Sequence, residues 1–187
     1  EMPEPETEEA PDILKSLGIE IPEKDIDFAA LQEENSDVYA WIYVPGTNVD
    51  YPVLQHPEDD TYYLEHNMDG SKGLPGCIYT ESVNTKDFTD PNTVLYGHNM
   101  KNGSMFGSLK QYKNDGFYEK NAYFTVFTED AAYRYQIFAY SDVPEDSDVY
   151  TTGYLPDETF DGFLTELLKS SYKDTGVAVG KDDKVLT

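Results

Sequence analysis

Asn92-Thr93-Val94-Leu95-Tyr96-Gly97-His98-Asn99-Met100 is the stretch on which the reading of this chain turns. Thr93 to Tyr96 are β-forming and apolar, and they read as a strand. Gly97 lets the backbone turn sharply at its end, and Lys101-Asn102-Gly103-Ser104 reads as the loop that follows. An imidazole on a strand's rim is placed to give and take protons near neutral pH, which makes His98 the first candidate for chemistry. The alternative is a histidine that only packs or hydrogen-bonds in a turn.

Further strands flank this stretch. Trp41 to Val44 read as a strand closed by the turn Pro45-Gly46-Thr47, and Val49 to Leu54 as its successor. Tyr62-Tyr63-Leu64 suggests a helical turn, and Cys77-Ile78-Tyr79 another strand. Tyr123–Phe127 and Tyr133–Tyr140 read as a hairpin around Glu129-Asp130, the second member alternating with period two. Phe160, Phe163, Leu164, Leu167 and Leu168 recur at helical spacing behind a start at Leu155-Pro156-Asp157. Val177–Val179 and Val185-Leu186 look like late strands. Many short strands separated by turns favour a barrel or sandwich with helices at the periphery, a mostly β, α+β fold.

Upstream, residues 1–11 are acidic, carry three prolines and read as a flexible tail. Residues 12–187 then form the domain, with helices over about 12–36 and β structure over about 37–187. Ile13, Leu14 and Leu17 mark one short helix, and Phe28 and Leu31 a second that begins after Asp25 or Asp27.

With 37 acidic against 13 basic residues, the net charge of −24 disfavours nucleic acid and anionic membrane surfaces. An apolar content of 39% with 16 tyrosines suffices for a packed core. The single cysteine, Cys77, excludes an internal disulfide or a cysteine-pair metal site, and it reads as a buried small hydrophobe. A hydrolase using Cys77 and His98 is the remote alternative. His56 and His66 read as surface residues, and three scattered histidines lack zinc-ligand spacing. Arg134, the only arginine, reads as solvent-facing or stacked on a tyrosine. Asp182-Asp183 and Glu58-Asp59-Asp60 read as solvated charge runs.

Several separated segments together resemble one family. Leu31…Asn35-Ser36-Asp37…Trp41-Ile42…Pro45-Gly46-Thr47…Val49-Asp50-Tyr51-Pro52-Val53…Gln55 resembles the opening strands of class B sortases. Asp59…Tyr63-Leu64 and Gly76-Cys77-Ile78-Tyr79…Glu81 resemble the elements that follow. Asn92–Met100, with Ser104-Met105-Phe106, Leu109 and Tyr112, resembles the strand and loop that carry the family's catalytic histidine. Lys184-Val185-Leu186-Thr187 resembles the strand leading into a Leu-Ser-Thr-Cys segment.

The resemblance implies a sortase-type eight-stranded β-barrel with N-terminal helices, here without its last strands. It implies a cysteine transpeptidase that cleaves an Asn-Pro-x-Thr-like sorting signal on a surface protein and joins the threonine to a peptidoglycan amine. His98 takes the histidine role, while Leu64, Tyr150 and Asp60 match positions lining the signal-binding groove, Asp60 where the family often has asparagine. Cys77 matches a structural position. The nucleophilic cysteine and the arginine are expected beyond Thr187, so these residues alone are expected to be inactive. No cofactor or metal is implied. The resemblance places the full protein on the extracellular face of a Gram-positive membrane, anchored through an N-terminal helix. A non-catalytic module that binds a peptide or partner is the competing reading.

Overall fold

The computed structural model describes residues 21–187. The acidic tail and the helix expected around Ile13 to Leu17 lie outside the described residues. The first described helix, α1 (Phe28–Glu34), begins where Asp27 accepts the Ala30 N–H at 3.0 Å. It lays Phe28 over a cluster of Val38, Leu54, Tyr63, Cys77, Tyr79 and Phe127.

The strands are β1 (Val38–Tyr43), β2 (Asp50–Leu54), β3 (Ile78–Tyr79), β4 (Asn92–Thr93), β5 (Tyr123–Phe127), β6 (Ala132–Gln136) and β7 (Val185–Leu186). Five of them form one sheet in the order β3-β2-β1-β5-β6, and β4 pairs with β7. β1 alternates inward Val38, Ala40 and Ile42 with half-buried Tyr39, Trp41 and Tyr43, as a pleated strand between core and surface must. It runs antiparallel to β2 and β5, and β2 runs parallel to β3. The main core gathers Ala40, Ile42, Val44, Val49, Val53, Ile78, Leu95, Met105 and Val126 against this sheet.

The two sheets are joined through Tyr79 and Tyr96, whose main chains exchange hydrogen bonds at 3.0 and 2.8 Å. β4 and β7 run parallel, with Asn92 opposite Val185 and Thr93 opposite Leu186. The expected mostly β fold with peripheral helices is present. Among the described residues the strands form an open array rather than a closed ring.

The amphipathic segment becomes α4 (Glu158–Ser170), following the short α2 (Tyr62–Glu65) and α3 (Phe117–Lys120). Asp157 caps it by accepting the Thr159 and Phe160 N–H groups at 2.9 and 3.3 Å. Phe160 and Leu164 are buried against Val185, each contributing roughly 1.5–3 kcal/mol of apolar transfer. α4 thereby holds β7 against β4.

Three sequence expectations change. The strand expected over Thr93 to Tyr96 is regular only at Asn92–Thr93, because Tyr96 turns from β7 to pair with Tyr79 in a single bridge. β6 stops at Gln136 instead of running to Tyr140, because its partner changes there: Phe138 O accepts from Thr175 Oγ1 and Tyr140 O from the Tyr172 N–H. Val177–Val179 is not a strand, and Val179 packs against the α4 cluster instead. No helix among the described residues is long and apolar enough to cross a membrane.

Candidate active site

His98 is fixed from both sides along its own chain. Two residues earlier Tyr96 is paired to β3, and the His98 carbonyl accepts the Phe106 N–H at 2.9 Å, closing the loop that follows. Gly97 is required by space: a Cβ there would lie 2.4 Å from Ile78 Cδ1 and 2.9 Å from Phe106 Cδ2. The strand therefore presses flat onto the core just before the imidazole, which is half-buried. Its Nε2 lies 2.6 Å from the main-chain carbonyl of Leu64 at the end of α2. The Leu64 side chain itself is exposed.

Tyr150 meets the same strand by stacking. Its ring lies 5.8 Å from that of Tyr96, which in turn stacks on Tyr79 at 5.4 Å. The Asp60 carboxylate accepts the Ser82 N–H at 2.6 Å, and its charge acts on Tyr79 and Glu81. Glu81 joins the group. Burial, then the charge of Asp60, pushes its carboxyl up, while the Tyr96 hydroxyl counteracts by hydrogen bonding. Burial pushes the phenols of Tyr79 and Tyr96 up to about 12, with the Glu81 charge the next cause for each. Leu64, His98, Tyr96 and Tyr150 are thus linked, with Asp60 and Glu81 bordering them. The three-ring ladder and the role of Glu81 were not legible as site features in the sequence. The only signal was an aromatic at the end of each apolar strand, Tyr79 and Tyr96, and such residues are common in cores.

Cys77 lies elsewhere in function. It is buried, its thiol contacts His66 O at 3.6 Å, and burial followed by the charge of Asp69 pushes the thiol up to about 11. A thiol so buried and raised is a poor nucleophile at neutral pH, which counts against the Cys77–His98 hydrolase. Arg134 sits on β6, at the opposite edge of the large sheet from β3, with its guanidinium 4.6 Å from the Tyr123 ring centre. The expected stacking on a tyrosine is observed.

His56 and His66 are half-buried and not simply surface residues. They flank Tyr62, with ring centres 4.5 and 3.9 Å away. His56 Nδ1 accepts the Glu58 and Asp59 N–H groups at 3.2 and 2.9 Å, which shapes the turn into α2. His66 Nδ1 also lies 2.9 Å from Tyr62 O, so both rings pack on the start of α2.

A sortase domain model matches residues 42–166. That span contains His98, Leu64, Tyr150 and Asp60. The chain belongs to the sortases, in class B.

This sortase chain is 34% identical over 157 residues to sortase B of Listeria monocytogenes, covering 84% of the chain and 63% of the relative. It is 30% identical over 161 residues to sortase B of Staphylococcus aureus, covering 86% of the chain and 65% of the relative. The chain thus spans less than two thirds of either relative's length. The solved Staphylococcus aureus sortase B–substrate complex superposes with a TM-score of 0.79 at 28% identity, covering 85% of this chain and 73% of that one. The sortase-type fold expected from the sequence is therefore the fold of this chain.

Proposed function

We propose that this chain is the histidine-bearing part of a cell-wall sorting transpeptidase. The supporting observation is the imidazole of His98, anchored on Leu64 O beside a strand that already pairs with the last residue. Leu95 N–H donates to Thr187 O, and Thr187 N–H to Thr93 O, both at 2.8 Å. If the chain continues in the register of β4 and β7, it passes His98 about four residues past Thr187. A cysteine there would meet the imidazole.

The proposed chemistry then follows. The thiolate attacks the threonine carbonyl of an Asn-Pro-x-Thr-like signal, the scissile C–N bond breaks, and His98 delivers a proton to the leaving amine. A peptidoglycan amine attacks the thioester, His98 takes its proton, and the sulfur leaves. A guanidinium, also from beyond Thr187, stabilises the oxyanion. Leu64, Tyr150 and Asp60 form the wall against which the signal peptide lies. The site is extracellular, on a protein anchored to the membrane by its N-terminal side. Cys77 is the only thiol in these 187 residues and is buried, so the proposed nucleophile is a different cysteine.

The test is to incubate a form extending past Thr187 with an Asn-Pro-x-Thr peptide and measure intact mass. A thioester adduct on a cysteine other than Cys77 supports the proposal. Peptide binding with no adduct and no cleavage favours a binding module.

A further inference from the structure

A carbonyl oxygen only accepts hydrogen bonds, so the 2.6 Å contact between Leu64 O and His98 Nε2 requires the proton to sit on Nε2. In the neutral ring the lone pair is then on Nδ1, to which no described residue donates a hydrogen bond. The position of that carbonyl is itself controlled. α2 is four residues long and its N-cap Thr61 makes no side-chain capping bond, so the helix does little to fix its own end. The chain at Gly76 and Cys77 holds it instead. Cys77 N–H donates to Tyr63 O at 3.0 Å, and Gly76, at φ +68°, lies so close that a Cβ would be 2.6 Å from Tyr63 O and 3.0 Å from Leu64 O.

We infer that the Leu64 carbonyl is a positioning group that locks His98 through Nε2, so that Nδ1 is the nitrogen that exchanges protons, and that Gly76 is a positioning residue keeping this carbonyl within reach. During acyl transfer the ring stays anchored. Nδ1 gives its proton to the departing amine and accepts one from the incoming amine, and Nε2–H never leaves Leu64 O. The inference rests on His98 being the proton-transfer group.

The test is nitrogen-15 and proton NMR of the histidine-labelled 187-residue chain at neutral pH. The expected spectrum shows a His98 Nε2–H signal protected from exchange, with the lone pair of the neutral form on Nδ1. Leu64→Ala, which keeps the carbonyl, retains that signal; Gly76→Ala loses it while the Tyr79 and Tyr96 amides stay protected. A neutral ring protonated on Nδ1 instead of Nε2, an unprotected Nε2–H, loss in Leu64→Ala or retention in a folded Gly76→Ala overturns the inference. If Gly76→Ala does not fold, the unsubstituted chain and Leu64→Ala decide. The NMR outcome is separable from the proposed function. A protected Nε2–H with turnover retained in His98→Ala of the longer form overturns the catalytic reading alone. Lost turnover without a protected Nε2–H overturns only the positioning.

Discussion

Thr187 O accepts the Leu95 N–H at 2.8 Å, three residues before His98, so the end of this chain is already laid along the strand that carries the imidazole. The arrangement is locked by a side chain as well. Thr187 Oγ1 donates to Asn92 Oδ1 at 2.8 Å, and Asn92 Nδ2 donates to Thr151 O at 2.9 Å. Asn92 is buried, and it ties β4, β7 and the segment bearing Tyr150 together.

Asn92→Ala removes both bonds. The expected cost is about 1–3 kcal/mol, read from chemical denaturation, with faster amide exchange at Leu95 and Thr187. Unchanged stability and exchange would mean that β7 is held by the α4 cluster alone.

Cys77 gives a pH prediction. Burial raises its thiol from 9.0 to about 11, so alkylation should be slow at neutral pH and accelerate toward pH 11. The same shift acts on stability: the folded state favours the neutral thiol. Its contribution is complete below pH 9 and is lost as pH rises through about 11. Cys77→Ser should flatten that part of the alkaline decline and leave turnover of the longer form intact. Rapid labelling at pH 7 would contradict the buried assignment.

Asp60 and Glu81 are close enough for the charge of one to act on the other. Asp60→Asn keeps an oxygen acceptor for the Ser82 N–H and removes a like charge from Glu81. Glu81, held above its ordinary range, should titrate lower in the variant by carboxyl carbon-13 NMR. A raised folded-state carboxyl destabilises the protein once pH exceeds the unfolded value, so the variant should be relatively more stable at neutral than at acidic pH. An unmoved or raised Glu81 midpoint would exclude Asp60 as a cause.

Legibility in the sequence followed locality. α4 was visible because Asp157 and the apolar spacing act within one segment, and Gly97-His98 because a turn after a strand is a local event. β6 was overextended because its end is set by Thr175 and Tyr172, more than thirty residues away. The late strand at Val177–Val179 failed because β-branched residues fit any half-buried surface, here that of α4. Leu64, Tyr150 and Asp60 came from family resemblance. The structure brings the Leu64 carbonyl to 2.6 Å from His98 Nε2, a main-chain contact that no side-chain pattern can signal. The Tyr79–Tyr96–Tyr150 ladder depends on bridging separate strands and stayed hidden for the same reason.

The most direct test replaces His98 with Ala in a form of this protein that continues past Thr187 and follows cleavage of an Asn-Pro-x-Thr peptide. The expected result is a fall in turnover of about 10²–10⁴-fold, with circular dichroism and peptide binding preserved. Turnover within a few-fold of the unsubstituted protein would contradict the assignment of His98 as the proton-transfer group.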